Sequence, residues 1–390
     1  MLAAGKGAGS MSEVAEEHYL RQRKFPAERV TGLAVARHGY GRSLKVIEMI
    51  EAGHPVPDEA GLKAASRALE LADGAGADDL VLVLMSGGAS ANWIAPADGL
   101  SFADKQAVTR ALLRSGANIG EINTVRKHLS RIKGGRLARH AAPAKVVTLA
   151  ISDVPRDEPS AIGSGPTVPD PTTLADAREI VARYKLDLPD TVTHALNDAK
   201  NETPKPGDKI FANTSFTIFA KPADALAAVR AKVESAGYEF VLLGDRVEGE
   251  AREVAAAHAK QARDLKAQGK RAVIVSGGEL TVTIRGKGKG GPNQEYALAL
   301  AVALDGAKGI SAIAADTDGT DGGAGSSDDP AGAYADDGSA GRARALGLDP
   351  AAYLADNNST EFFTRLGDLV STGPTFTNVN DFRAIVVDSD

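Results

Sequence analysis

The chain has 390 residues and a formal net charge of −6, with 43% hydrophobic residues, 25% charged residues and no cysteine. This length favours two domains of a folded globular protein. The missing cysteines exclude disulfides, thiolate zinc sites and iron–sulfur clusters, and the negative charge gives no basic footprint for nucleic acid. No apolar run reaches the ~18 residues of a membrane span, and the first residues do not form a signal peptide, so we expect a cytoplasmic protein.

Short apolar runs alternate with helical stretches along the chain. The sequence predicts strands over 80–84, 145–151, 271–275 and 309–315, and helices that include 8–23, 222–236 and 248–267. Such alternation predicts α/β domains, and continuous apolar strands indicate largely parallel sheets that are covered on both faces. The first strand, residues 1–4, is so short that it would be a poor member of a sheet unless it is central and well covered. We therefore expect that residues upstream of it are missing or that the true start lies further upstream.

The domain boundary is predicted from local composition. Residues 203–207 contain two prolines and a glycine that interrupt helical periodicity, which favours a linker. We therefore expect an N-terminal domain over 1–207 and a C-terminal domain over 208–390. Residues 316–341 are rich in Gly, Asp and Ala, and we expect a long functional loop there.

Two glycine-rich turns follow predicted strands and open helices. One is Gly5-Lys6-Gly7, and the other runs from Ser86 through two glycines to Ser90. Free backbone N–H groups at such turns, together with hydroxyls or a lysine, favour phosphate or carboxylate. The structural alternatives are a solvated lysine and a plain strand-to-helix turn that needs positive φ.

The segment 123–135 carries most of the remaining candidate cations. Its apolar residues have helical spacing and it ends in two glycines, which predicts an amphipathic helix. Arg126, Ser130 and Lys133 would then share one polar face. That face is either a cationic clamp for phosphate or carboxylate or only a solvated surface.

Acidic residues also follow predicted strands. Asp153 ends one of them, and Asp316, Asp318 and Asp321 lie in an Asp-x-Asp-Gly-x-Asp-Gly segment. This segment resembles a calcium loop, but Ser327 stands where an EF-hand requires Glu. We expect these acids to lie near a Mg²⁺–phosphate group or a substrate hydroxyl, with Asx turns as the structural alternative. Walker A, protein-kinase and Gly-x-Ser-x-Gly motifs are absent, and the histidines lack the spacing of zinc ligands.

Taken in order, these segments resemble the glycerate 2-kinases that carry a MOFRL C-terminal domain. The resemblance covers nearly the whole chain. Its matching segments are 5–7, 51–58, 85–90, 123–130, 133–135, 152–155, 163–167, 276–279, 290–295, 317–319, 321–322 and 377–383.

The resemblance implies a fold and an activity. The activity is ATP-dependent phosphorylation of D-glycerate to 2-phosphoglycerate with Mg²⁺, in a cleft between two three-layer α/β domains. The first domain would be Rossmann-like, with six parallel strands in the order 321456, and the second would have a mixed sheet. The partners implied are D-glycerate and ATP, with no nucleic acid or membrane, and a homodimer stays open.

Site residues follow from the resemblance and from the motifs together. The expected catalytic residues are Lys6, Asp153 and Asp318, the two acids being the candidates for Mg²⁺. The expected substrate- or nucleotide-binding residues are His54, Asp58, Ser86, Gly87, Gly88, Ser90, Arg126, Lys133, Ser276, Gly277, Gly278, Glu279, Asn293, Gln294, Glu295, Asp316 and Asp321. The family has an arginine where this chain has Pro292, so Arg126, Lys133 or Lys289 would have to supply that charge.

Two other functions remain open at this point. Some members of the family are labelled hydroxypyruvate reductase, an NAD(P)H-dependent activity. It needs a dinucleotide fingerprint, whereas Gly5-x-Gly7 is followed by Ser10, and it needs a proton donor, for which His54 in the matching segment 51–58 is the candidate. The third alternative is a phosphometabolite-binding protein whose catalysis was lost with Pro292 or with the short start.

Overall fold

The computed structural model describes residues 1–322 and 326–389. The chain divides into two units, Met1–Phe219 and Ala220–Asp390. The expected boundary at 207 lies before this division, because one further strand joins the N-terminal sheet. The segment expected to be a linker instead packs within the N-terminal unit, where the hydroxyl of Thr203 is buried and donates to Asp170 Oδ2 at 3.1 Å.

Six strands form the sheet of the N-terminal unit, in the order β3-β2-β1-β4-β5-β6. They are β1 Leu2–Ala4, β2 Leu33–Arg37, β3 Glu48–Ala52, β4 Leu80–Met85, β5 Lys145–Ile151 and β6 Thr214–Ala220. This parallel sheet confirms the predicted order. The short strand β1 is central, between β2 and β4, and its residues are at most 2% exposed.

The helices of this unit cover both faces of the sheet or extend beyond its edge. They are α1 Ala8–Glu16, which continues as a π-helical turn over Glu17–Gln22, α2 Glu59–Asp73, α3 Ala89–Asn92, α4 Phe102–Ser115, α5 Ile119–His128, α6 Arg136–Ala141, α7 Leu174–Arg183 and α8 Asp190–Asn197. Reciprocal capping boxes begin α4, α5 and α7, where a Ser, Asn or Thr side chain and an acid three residues later satisfy free N–H groups.

The predicted helix over 123–135 is wrong in its second half. Helix α5 ends at His128, and the following backbone bonds to other segments: Arg131 N donates to Ala95 O, and Gly134 N donates to Ser164 O. Tertiary hydrogen bonds therefore replace the helical ones. Ser130 and Lys133 do not share a helix face with Arg126, although the apolar residues of the segment are buried as expected.

The C-terminal unit has a mixed sheet, as predicted, in the order β11-β10-β9-β12-β8-β7. Its strands are β7 Glu239–Gly244, β8 Ala272–Ser276, β9 Ile310–Asp316, β10 Gly332–Ala335, β11 Leu369–Val370 and β12 Asp381–Val387. In the described part of this sheet, β7 pairs with β8 in parallel, and the four other neighbouring pairs of strands are antiparallel. Its helices are α9 Pro222–Ser235, α10 Ala251–Ala267, α11 Pro292–Leu304, α12 Ser339–Ala345, α13 Pro350–Ala355 and α14 Ser359–Leu366.

The expected long loop over 316–341 is only partly a loop. Strand β10 lies within it and pairs with β9, and α12 begins at Ser339. Strand β10 was not predicted because its Gly and Ala residues have low strand propensity. These small residues instead allow β9 to approach closely. Residues 323–325 of the expected loop lie outside the described residues. No helix in the described ranges is both long enough and apolar enough to cross a membrane.

A buried carboxylate ties α1 to the segment before β3, and this contact gives a stability prediction. Glu16 is 3% exposed and accepts from the N–H groups of Lys45, Val46 and Ile47, each at 2.8 Å. Glu16→Ala would leave these donors unsatisfied and should lower the free energy of unfolding of the N-terminal unit by about 3 kcal/mol in urea titrations.

The matched control lies on the same helix. Glu13 makes an exposed ion pair with Arg42, so Glu13→Ala should change the free energy by less than about 1 kcal/mol. Equal effects of the two substitutions would contradict the role given to Glu16.

Candidate active site

The turns after β1 and β4 lie against each other at the carboxyl end of the N-terminal sheet. Gly7 N donates to Ser86 Oγ and Lys6 N donates to Gly87 O, both at 2.8 Å. A Cβ on Gly5 would lie 2.4 Å from Ser86 O, and the φ of Gly5 is +113°. Glycine is therefore required at this position, both for space and for backbone conformation.

The side chains of Lys6 and His54 meet at the second turn. A Cβ on Gly88 would lie 3.0 Å from His54 Cδ2 and 3.6 Å from Lys6 Cγ. Among the described residues, the amides of Gly87 and Gly88 have no backbone acceptor. Three segments that the sequence predicted separately thus form one small surface, with a lysine, an imidazole and two amide donors.

Two buried lysines, Lys105 and Lys133, and the half-buried Arg126 lie next to this surface. Lys133 is 2% exposed, and its Nζ lies 2.7 Å from Ser90 O and 2.8 Å from Ser90 Oγ. Lys105, on α4, is 3% exposed and donates to the carbonyl oxygen of Arg126 at 2.9 Å. Within the described ranges, none of these three cations forms an ion pair with a carboxylate.

Burial without a carboxylate partner shifts the titration of these groups. Burial, with smaller contributions from the nearby Arg126 and Arg136, lowers the pKa of Lys105 to about 7. Burial also holds the pKa of Lys133 well below its usual range, with Lys105 and Arg126 adding to the effect. The pKa of Arg126 is lowered by burial alone. The site therefore favours either a bound anion or the loss of protons.

Sequence reasoning missed several members of this cluster. Ser164 Oγ lies 3.0 Å from Ser90 Oγ and 3.4 Å from Asn123 Oδ1. The pair of glycines around Ser164 was a signal that the chain turns sharply there, but nothing linked it to Ser90. Lys105 gave no signal, because a lysine in an amphipathic helix is ordinarily solvated.

Two of the predicted acids, Asp58 and Asp153, lie in this unit. Asp58 caps α2 and accepts from Gly61 N and from His38 Nε2 at 2.8 Å. Burial raises the pKa of Asp58, but these hydrogen bonds outweigh it and the pKa lies below its ordinary value. Asp153 follows β5 and is half-buried. Next to it, Ser152 Oγ is buried without a partner among the described residues.

In the C-terminal unit, Asp321 caps the buried start of α11. Its carboxylate accepts from the backbone and side-chain N–H groups of Asn293 and Gln294, at 2.8 to 3.2 Å. These predicted binding residues thus satisfy each other at a helix N-terminus. Burial, with a smaller contribution from Asp381, raises the pKa of Asp321 to about 7 although these donors act to lower it.

A buried arginine that the sequence analysis did not select organises the turn after β8. Arg383 is 1% exposed and donates to Gly277 O at 2.6 Å, to Gly278 O and to Ser276 Oγ. It also pairs with Asp381 at 2.9 Å. Ser276, Gly277 and Gly278 therefore have a structural partner here, whereas Glu279 of the same predicted motif is exposed.

The remaining predicted acids take part in local contacts. Asp316 Oδ1 accepts from Asp318 N, and Asp318 Oδ1 accepts from Thr320 N and Oγ1, so this loop contains the Asx turns. Glu295 pairs with Arg252 at 2.6 Å. Among the described residues, no group of three His, Cys, Asp or Glu could hold a metal ion.

Residues 285–291, which we call the cationic strap, lead into α11. The 356–358 segment holds its backbone: Gly286 N donates to Asn357 Oδ1 and Gly288 N donates to Asp356 O. A Cβ on either glycine would lie within 2.3 Å of this segment. Arg285, Lys287 and Lys289 alternate with the glycines and are exposed. None of the three forms an ion pair within the described parts of the chain.

The shifted pKa of Asp321 predicts a pH-dependent effect of its replacement. An acid with a folded pKa of about 7 and an unfolded value near 3.8 contributes stability at low pH that is lost as the pH rises through 7. We therefore compare the free energy of unfolding of the wild type with that of Asp321→Asn. The value for the wild type minus the value for the variant should be larger at pH 5 than at pH 8. We expect the two differences, measured by urea denaturation, to differ by at least about 1 kcal/mol. Equal differences at both pH values would contradict the assignment.

The comparisons with known proteins agree with the sequence resemblance. Residues 1–197 match a domain of unknown function, DUF4147, and residues 272–381 match the MOFRL family. A protein of Agrobacterium vitis with the provisional name hydroxypyruvate reductase is 48% identical, over 99% of this chain and 86% of its own. The D-glycerate 2-kinase of Thermotoga maritima is 38% identical, over 98% of this chain and 88% of its own.

A solved structure supports the same relationship. The crystal structure of a glycerate kinase from Thermotoga maritima has a TM-score of 0.87 to this chain, with 38% identity, and covers 99% of this chain and 91% of its own. The glycerate 2-kinase of Pyrococcus horikoshii is 37% identical over 100% of this chain and 87% of its own. The chain therefore belongs to the glycerate 2-kinase family with DUF4147 and MOFRL domains.

Proposed function

We propose that this protein is a glycerate 2-kinase, which transfers the γ-phosphoryl group of ATP to the 2-hydroxyl of D-glycerate. The observation that carries the proposal is the meeting of Lys6, Gly87 and Gly88 beside the half-buried Arg126 and two buried lysines, in a chain of this family. A phosphoryl transfer needs positioned donors and positive charge around the transferring group more than it needs covalent chemistry.

The glycerate carboxylate is assigned to the N-terminal unit. Arg126 is half-buried, and the turn that contains Gly87 and Gly88 is also partly exposed. A small anion can therefore contact both the guanidinium and the turn. A guanidinium and two amides match the geometry of a carboxylate. Lys6, on the neighbouring turn, would then neutralise the charge of the transferring phosphoryl group.

The nucleotide would bring Mg²⁺, and the residues present fit that ion. Mg²⁺ in such enzymes is held by one or two carboxylates together with the phosphates, so a three-acid cage is not required. Asp153 and the unpartnered hydroxyl of Ser152 provide hard oxygen donors at the carboxyl end of β5. Asp318 is less suited, because its Oδ1 already accepts two hydrogen bonds. The ion would neutralise phosphate charge.

The nucleotide phosphates are assigned to the cationic strap. It presents three exposed cations on a backbone that is already fixed, so little order has to be gained on binding. This arrangement offers positive charge next to Pro292, where the family has an arginine. Lys289 is the member of the strap nearest in sequence to that position.

The activity is tested directly by incubating the protein with ATP, Mg²⁺ and D-glycerate. Release of ADP is followed, the product is identified by NMR as 2-phosphoglycerate or 3-phosphoglycerate, and L-glycerate serves as the substrate control. A parallel assay with NADH and hydroxypyruvate tests the reductase named among the relatives. Oxidation of NADH without ADP release in the first assay would overturn the proposal, and binding of D-glycerate without either turnover would indicate a binding protein.

Lys6→Ala should reduce kcat on the order of 10³-fold, as the loss of a transition-state cation does in other phosphoryl transfers. The exposed Lys63 on α2 provides the control, and Lys63→Ala should leave kcat unchanged. Wild-type turnover by a folded Lys6→Ala variant would remove this lysine from catalysis.

Replacing Arg285, Lys287 and Lys289 together by Gln should raise the KM for ATP about tenfold or more and weaken its dependence on salt, because three charges near the phosphates are lost. The KM for D-glycerate should stay within about twofold. The same replacement of the exposed Lys232, Lys260 and Arg344 in this unit is the matched control. An unchanged KM for ATP in the strap variant would contradict the assignment.

A further inference from the structure

Three side chains from separate segments form a short hydrogen-bonded chain in the N-terminal unit. Lys133 Nζ lies 2.8 Å from Ser90 Oγ, and Ser90 Oγ lies 3.0 Å from Ser164 Oγ. Lys133 Nζ also donates to Ser90 O at 2.7 Å, which fixes the amine beside the hydroxyl. A lysine and two serines in this order form a path along which a proton can move.

The backbone at Ser164 is held in an uncommon conformation. Its φ is +64°, and the neighbouring Gly163 and Gly165 also have positive φ, at +56° and +62°. A left-handed serine is disfavoured, and such residues persist only where their surroundings hold them. Here Gly134 N donates to Ser164 O at 3.0 Å and Gly135 N donates to Gly165 O at 2.7 Å. The strained turn keeps the hydroxyl of Ser164, which is fully buried, directed at Ser90.

The charges around Lys133 are mainly positive. Lys105 faces it from α4 and Arg126 from α5, and both disfavour a proton on its amine. Lys127 is engaged with Asp170 at 3.4 Å, and Arg136 donates to Asn201 O. Burial and the two facing cations hold the pKa of Lys133 well below its usual range. The neutral amine, the form that can accept a proton, is therefore more accessible here than in an ordinary lysine.

Only the outer end of this chain is open to a ligand. Lys133 is 2% exposed, whereas Ser90 is half-buried, as are Asn123 and Arg126 on successive turns of α5. A small hydroxy acid whose carboxylate is held at Arg126 would present its hydroxyl to Ser90. Direct contact with the amine of Lys133 would be blocked by Ser90 itself.

We propose that Ser90 takes the proton of the substrate hydroxyl and passes its own proton to Lys133, and that Ser164 is a positioning residue for Ser90. This inference rests on the proposed kinase activity. It also replaces the cationic clamp that the sequence suggested for Lys133, since a clamp must stay protonated and a proton acceptor must not.

The step is balanced in atoms and charge. A bond forms between the 2-hydroxyl oxygen of D-glycerate and the γ-phosphorus of ATP, and the bond from that phosphorus to the bridging oxygen breaks, so that ADP leaves with the electron pair. The hydroxyl proton moves to Ser90 Oγ as the proton of Ser90 moves to Lys133 Nζ. The resulting ammonium releases its proton to water before the next turnover.

Two substitutions of Lys133 separate a proton acceptor from a clamp. Lys133→Met should lower kcat about 10²- to 10⁴-fold, the usual contribution of a general base, with a much smaller change in the KM for D-glycerate. Lys133→Arg keeps a positive charge but cannot release its proton, so it should be equally inactive. Recovery of activity in Lys133→Arg would support the clamp and overturn the relay.

The pH dependence of kcat provides a readout that a structural role would not move. In the wild type, kcat should rise with pH through the pKa of Lys133. This rising limb of the pH profile should be absent from Lys133→Met. Lys105→Met removes a facing cation, so the pKa of Lys133 should rise and the limb should move to higher pH. A limb that stays in place in both variants would overturn the proposal.

The supporting serines have their own expected pattern. Ser90→Ala should approach the loss of Lys133→Met, whereas Ser164→Ala should lower kcat about tenfold without moving the pH limb, as a positioning residue should. Ser164→Thr keeps the hydroxyl but adds a methyl group, and partial rescue is expected if it folds. Equal activity of wild type and Ser90→Ala would overturn the relay.

An NMR titration that does not depend on turnover tests the proton relay independently of the proposed kinase activity. The ¹³Cε resonance of Lys133, assigned by its absence from Lys133→Met, should titrate far below the ordinary lysine value of about 10.4. A normal titration would overturn the relay even in an active kinase. A strongly lowered titration in a protein without glycerate kinase activity would leave the proton acceptor in place and overturn only the assigned substrate.

Discussion

The close approach of two turns at the carboxyl end of the N-terminal sheet is the constraint on which the candidate site depends. The turn after β1 touches the turn after β4 so tightly that a side chain on Gly5 would overlap Ser86. Two hydrogen bonds lock the turns together. Because β1 is central, the same contact places Lys6 among residues that come from β4 and from the segment after β3. A shift of either strand by one residue would separate them.

Buried positive charge is the second physical feature of the site. Removing a lysine from water without a carboxylate partner is costly, and the cost is relieved by binding an anion or by losing the proton. Arg126, at the partly exposed edge, is suited to the first solution. Lys133, enclosed behind Ser90, is suited to the second. The two side chains are both cationic by type, but their different burial assigns anion binding to Arg126 and proton acceptance to Lys133.

The C-terminal unit uses its family motifs in a different way. Asp321 satisfies the free N–H groups at the start of α11, and Arg383 holds the turn after β8. Motif residues such as Asn293 and Ser276 therefore have a structural role, because they form hydrogen bonds within this unit. Beside these motifs, three exposed cations lie on the cationic strap, whose glycines pack against residues 356–358.

The sequence by itself determined the α/β class and the glycine-rich turns, because these follow from local periodicity and from motifs that are continuous in the chain. The strand order and the mixed second sheet were implied only by the resemblance to a known family. The sequence did not determine where α5 ends, that β6 joins the first sheet, or that a strand lies within 316–341. Those outcomes depend on hydrogen bonds to distant segments, such as Gly134 to Ser164. The tertiary structure alone decided that Lys105, Ser90, Lys133 and Ser164 meet, since burial and proximity between residues far apart in sequence leave no periodic signal.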